Sequence, residues 1–191
     1  LREAAAQREL IRQDGGSFVL EAADWRYYSE RVRKSRFDLD DQALRPYFRL
    51  ENVRQGAFEV ARRLYGITLT PRPDLPVYHP EAEAFEVKDA DGSLLAIFYT
   101  DYFPRPGKRV GAWSSSFRSQ QTKDGKRVVA PIVANTCNFS RPAGNAPALL
   151  SIEEVETLFH EFGHALNSFF SLSPYRGLRG ARASLAAIAE L

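Results

Sequence analysis

Apolar residues recur at helical spacing over two stretches, from Glu21 to about Arg36 and from Leu50 to Tyr65, and both predict amphipathic helices. Gly66 follows the second stretch, where a left-handed residue would close a helix. The segment PRPDLPVYHP is too rich in proline for regular structure and predicts a connector. Beyond it the pattern becomes strand-like. FEVKDADGSLLAIFYTDYF and WSSSFRSQQTKDGKRVVAPIVANTCNF each predict a hairpin, turning at Asp91-Gly92 and at Asp124-Gly125, and together a small antiparallel sheet. Pro131 has no N–H for a ladder bond, which predicts an edge position or a bulge for the last strand. A free edge there could accept a peptide strand.

The loop SRPAGNAPALL leads to the strongest helical signal in the chain. Ser151 with Glu154 three residues on forms a capping box, and Leu150 with Val155 suits a hydrophobic staple, so a helix is predicted to start at Ser151. Ile152, Val155, Leu158, Phe159, Phe162, Ala165, Leu166, Phe169 and Phe170 follow the helical period and predict a broad buried face. Glu153, Glu156, Thr157, His160, Glu161, His164, Asn167 and Ser168 form a separate polar stripe.

On that stripe lies His160-Glu161-Phe162-Gly163-His164, an H-E-x-x-H pattern. Its imidazoles are one turn apart, a spacing that suits a shared tetrahedral zinc ion. Glu161, on the same turn, can take a proton from water that zinc acidifies, while zinc polarises a scissile carbonyl. The competing reading is a polar helix face that holds two histidines by chance. Against it stand the cap, the shared stripe, and the fact that only three histidines occur in the chain, two of them in the motif. The third, His79, has no companion at ligand spacing and is assigned no role. Gly163 within the helix costs about 1 kcal/mol relative to alanine, which predicts a segment approaching closely there.

A catalytic zinc site needs a third protein ligand and an open position. A third histidine in the extended form of the motif is excluded, because Asn167 and Phe170 hold its positions. Downstream of Glu161 the only acidic or imidazole side chains are His164 and Glu190. Glu190 is therefore the expected third ligand, presented by a short helix SLAAIAEL that Ser184 could cap.

Composition narrows the partners. The 191 residues are 44% hydrophobic, enough for a sizeable core, and 26 Lys and Arg against 24 Asp and Glu leave a formal charge of +2. So small and mixed a charge gives no reason to expect nucleic acid. The single cysteine, Cys137, cannot form an internal disulfide and is expected in the core. No apolar run reaches the roughly 20 residues that span a bilayer, and the charged start is unlike a secretory signal, so neither membrane insertion nor export is expected. The chain begins with Leu, lacks Met and ends on Glu190 and Leu191, and it is expected to be a fragment.

The stretches DWRYYSERVRKSRFDLDD, LRPYFRLENVRQGAFEVARRLYGITL, YFPRPGKRVGAW, CNFSRP and PALLSIEEVETLFHEFGHAL resemble the thimet oligopeptidase family of zinc metallopeptidases, particularly its bacterial peptidyl-dipeptidase and oligopeptidase A members. The resemblance implies cytoplasmic, largely helical enzymes that admit short peptides to a deep channel. It also implies one zinc ion per chain and a glutamate ligand on the helix after the motif. The tail GARASLAAIAEL departs from it, with Ala187 where the family carries an aspartate. The expected fold is α+β, a mainly helical zincin-like catalytic region with a small antiparallel sheet and an active-site helix bearing the motif. Residues 1–191 would form one partial catalytic domain, helical over 1–70, β over 71–140 and zinc-binding over 141–191. Hydrolysis of short peptides, as oligopeptidase or peptidyl-dipeptidase, is the expected function, with Glu161 catalytic and His160, His164 and Glu190 as ligands. The family's later glycine-rich and tyrosine- or histidine-bearing loops are absent here, so weak or no activity is expected of these residues alone. The alternative is a non-catalytic peptide-binding or structural fragment. No oligomeric state is predicted.

Overall fold

The structure, a computed structural model, describes residues 2–37, 41–142, 144 and 146–173. The chain divides into two units, residues 1–44 and 45–191. In the first, helix α1 (Arg2–Gln13) pairs with α2 (Trp25–Phe37), followed by the short α3 (Asp41–Leu44). Gln7, fully buried, donates to Ser29 Oγ at 2.7 Å, and an ion pair joins Arg31 to Asp14. The helix at α1 was not expected: its charged residues hide a single buried apolar stripe, of which Ile11 is the deepest member.

The second unit is built around one sheet. Helix α4 spans Leu50–Tyr65 and ends on Gly66, whose φ of 76° is the left-handed conformation that the sequence predicts there. Strands β1 (Thr68–Pro71), β2 (Glu83–Lys88), β3 (Leu94–Asp101), β4 (Trp113–Arg118) and β7 (Ile132–Thr136) form a five-stranded sheet in the order β1-β2-β3-β7-β4. Between β4 and β7 lies a separate hairpin of β5 (Gln121–Lys123) and β6 (Lys126–Val129). It turns on Asp124 and Gly125, at φ 52° and 73°, the pair of positive φ values that a two-residue hairpin favours.

Three expectations are corrected by this topology. The sheet is mixed, because β7 lies parallel to β3 and antiparallel to β4. A connection of some 30 residues lets β7 return and slot between β3 and β4, and such a crossover is what parallel pairing requires. The last strand is not an edge, that place falling to β4, but the bulge alternative holds in the ladder beside Pro131, between Ser116 and Arg118 opposite Val133 and Ile132. Pro131 precedes β7, where it forfeits no ladder bond and its carbonyl still accepts from the Ile97 N–H at 3.0 Å. β1 is an addition: four residues of alternation after Gly66 are too short a signal to stand out.

Helix α5 (Ile152–Phe170) packs on the sheet face that carries Phe98 and Val133, with α4 beside it. The contact is aromatic. Phe162 lies 5.6 Å from Phe58 of α4 and 5.8 Å from Phe98 of β3, and Phe169 lies 5.4 Å from Phe98, ring centroid to ring centroid. Backbone bonds from Leu50 N–H to the Ala148 carbonyl, and from Leu150 N–H to the Phe48 carbonyl, tie the starts of α4 and α5 together. Cys137 is fully buried in this core, as expected, and burial pushes its thiol up to about 12.

Candidate metal and active site

The start of α5 is fixed as its sequence predicts. Ser151 Oγ accepts from the Glu154 N–H at 3.1 Å, and the Glu154 carboxylate accepts from the Ser151 N–H at 2.8 Å. The same carboxylate accepts from the backbone and hydroxyl of Ser140, so the cap also anchors the strand-to-helix connection. With its start set and Phe162 and Phe169 locked into the core, the rotation of α5 is determined.

That rotation places His160 on the exposed side and His164 half-buried, their rings edge-to-face with centroids 4.8 Å apart. Their Nε2 atoms are 3.1 Å apart, so with neutral imidazoles one nitrogen donates and the other accepts. The separation is within a few tenths of an ångström of that between two nitrogens sharing one tetrahedral ion. The donor set and its geometry fit zinc as two of its ligands. Among the described residues no group of three or more His, Cys, Asp or Glu is gathered to hold a metal. Glu190 and Ala187 lie outside the described residues.

Glu161 differs from the expectation. It is not on the open stripe but 6% exposed, and Ser168, two turns along, is buried beside it. Both occupy the shoulder of the helix, about 100° round from His160, where stripe and core meet. Phe159, expected in the core, is 40% exposed because it falls on the opposite shoulder. Burial pushes the Glu161 carboxyl up, and His164 and His160 pull it back without cancelling the rise. Its Oε2 is buried with no hydrogen-bond partner among the described residues. A carboxylate oxygen left this way is unusual in a native interior and marks a place for a proton donor.

Two more such atoms share the sheet face beneath α5. Thr100 Oγ1 and Asn135 Oδ1 are buried without partners among the described residues, and their residues are paired in register across β3 and β7. Sequence reading missed both, since a polar residue at a buried strand position carries no local signature. Gly163 also departs from expectation: a Cβ placed there meets nothing within 4 Å among the described residues. His79 is engaged locally, its Nδ1 accepting from the Glu81 N–H at 3.2 Å.

The sequence model of peptidase family M3 matches residues 1–191. The chain belongs to peptidase family M3. It is 42% identical over 181 residues to the dipeptidyl carboxypeptidase of Salmonella typhimurium, which covers 94% of this chain and 26% of that protein. It is 38% identical over 179 residues to oligopeptidase A of Escherichia coli, with the same two coverages, 94% and 26%. A mitochondrial intermediate peptidase of Arabidopsis thaliana is 33% identical over 187 residues, 96% of this chain and 26% of its own length. The chain thus spans about a quarter of the length of these M3 relatives, and the resemblance read from its sequence is established. Within this M3 chain no described helix is long and apolar enough to cross a membrane.

Proposed function

We propose that this chain carries the zinc-binding and water-activating part of a peptidase that hydrolyses short peptides. The carrying observation is the union of two facing imidazole nitrogens, 3.1 Å apart, with a buried carboxylate oxygen one residue away that lacks a partner among the described residues. His160 and His164 would hold the ion, and Glu190 is the proposed third ligand. Zinc, when bound, lowers the pKa of water and polarises the scissile carbonyl. Glu161 takes a proton from the attacking water as its oxygen bonds to the carbonyl carbon. It then delivers that proton to the departing amine as the C–N bond breaks. Its low exposure and raised proton affinity suit both halves of that transfer.

The names of the relatives, dipeptidyl carboxypeptidase and oligopeptidase A, support short peptides as substrates. A cytoplasmic setting is proposed on the same resemblance. The edge of β4, unpaired among the described residues and on the strand that α5 contacts, offers a backbone on which an extended peptide can pair. Release of C-terminal dipeptides is favoured over internal cleavage by the identity to the dipeptidyl carboxypeptidase.

The test compares zinc content and cleavage of short peptides for the parent chain, Glu161→Gln and His160→Ala. Glu161→Gln should retain zinc while its cleavage falls at least about 100-fold, the scale of a lost general base. His160→Ala should lose both. Cleavage by Glu161→Gln at the parent rate would overturn the assigned role, and a parent chain that binds peptide but no zinc would favour a non-catalytic module.

A further inference from the structure

The face of the sheet turned away from α5 carries a cleft about 520 Å³ in volume. Its floor is Asp101, at the end of β3, whose buried carboxylate accepts two bonds from Arg105, at 2.7 and 2.8 Å, and one from Lys108 at 2.9 Å. Tyr78 donates to the same carboxylate at 3.0 Å. Arg109, on the rim, lies 5.8 Å over the ring of Trp113 and has no carboxylate partner among the described residues. Three cations against one anion leave a local excess of two positive charges. The walls are aromatic, with Tyr78 5.7 Å from Phe117 and Trp113 opposite Thr136 in register.

Strand alternation links this cleft to the edge of β4. Trp113 and Ser115 point to the cleft face, while Ser114, opposite Asn135, points to the face covered by α5. A peptide paired to the free edge would alternate in the same way. The residues opposite Trp113 and Ser115 would project over the cleft, and their neighbours would turn toward the motif helix. An anionic group at the first set would meet the unpaired Arg109 guanidinium.

Resting on the peptide-hydrolysis reading, we infer that this cleft is a specificity subsite for a carboxylate of the bound peptide, carried by an acidic side chain or by a free C-terminus. Arg109, held over Trp113, is the residue that recognises it, and Asp101 keeps Arg105 and Lys108 in the wall. Neutral analogues leave Arg109 without an anion and bind less well.

Trp113 supplies the readout. Trp25 is the only other tryptophan, so Trp25→Phe leaves Trp113 as sole reporter of peptide binding by fluorescence. The titration uses a Glu161→Gln background, in which hydrolysis plays no part. The probes are alanine pentapeptides blocked at the N-terminus, with Glu or Gln at the centre and a free or amidated C-terminus. A carboxylate at the centre or at the end should tighten binding about five-fold, and the position that responds identifies its source. Arg109→Gln should abolish that preference, Arg109→Lys should keep part of it, and about 0.5 M salt should weaken it in the parent. Equal binding of all four peptides, or a preference that survives Arg109→Gln, overturns the subsite. Absence of any binding overturns it too, while zinc content of the parent chain against His160→Ala tests the peptidase reading separately.

Discussion

Two residues show how burial sets chemistry that spacing alone does not. Asp101 is buried, which pushes its carboxyl up, yet Arg105, Lys108 and Tyr78 hold it down at about 2. Because the folded value lies below the unfolded carboxylate value of about 3.9, Asp101 contributes stability above pH 4 and loses it as the pH falls toward 2. Asp101→Asn should cost about 2.5 kcal/mol at neutral pH, the free energy of a carboxyl held down at about 2, because it takes the anion from the buried Lys108 ammonium and from Arg105. Denaturant unfolding should show the gap between parent and variant closing as the pH falls from 4 to 2; a gap that does not narrow would contradict the pairing. At Gly163 the open space means that Gly163→Ala should raise stability, by up to about 1 kcal/mol. Destabilisation would mean that another segment does pack there. The facing histidines and the cap were legible in the sequence, since i to i+3 and i to i+4 relations are local. The burial of Glu161 was not, because a shoulder position joins stripe or core according to what the sheet brings against it.

Among the elements, α5 was read with its start correct to the residue because its capping box is written locally, and α4 with both ends, its start from the apolar period and its end from a left-handed glycine. The β section was legible as hairpin turns and not as an order of strands. Nothing in VVAPIVANTC tells that β7 inserts beside β3, a pairing decided by contacts remote in sequence. The β5–β6 hairpin is tied to remote parts of the chain: Arg127 donates to the Leu95 carbonyl at 2.9 Å and to the carbonyls of Phe169 and Ser171 at the end of α5, and Thr122 Oγ1 donates to the Ser173 carbonyl at 3.3 Å. A cation there complements the helix dipole and satisfies terminal carbonyls. Arg127→Ala should cost about 1.5–3 kcal/mol and speed hydrogen exchange at the hairpin and the last turn of α5. Unchanged exchange at those amides would show that the hairpin is held by other means.

For the molecule as a whole, a mixed sheet buries an aromatic core against α4 and α5 and leaves two faces of the β4 edge chemically distinct. One is covered by α5, the other opens on the cationic cleft. The fold class and family were legible because long stretches of sequence carry them. The arrangement of the sheet was not, and Glu190 lies outside the described residues. Zinc content of the purified chain, measured by elemental analysis with His160→Ala and His164→Ala alongside, tests the metal site most directly. Close to one zinc per parent chain, lost in both variants, is the expected result; a parent chain that binds none in the presence of zinc, or variants that keep it, would contradict the assignment.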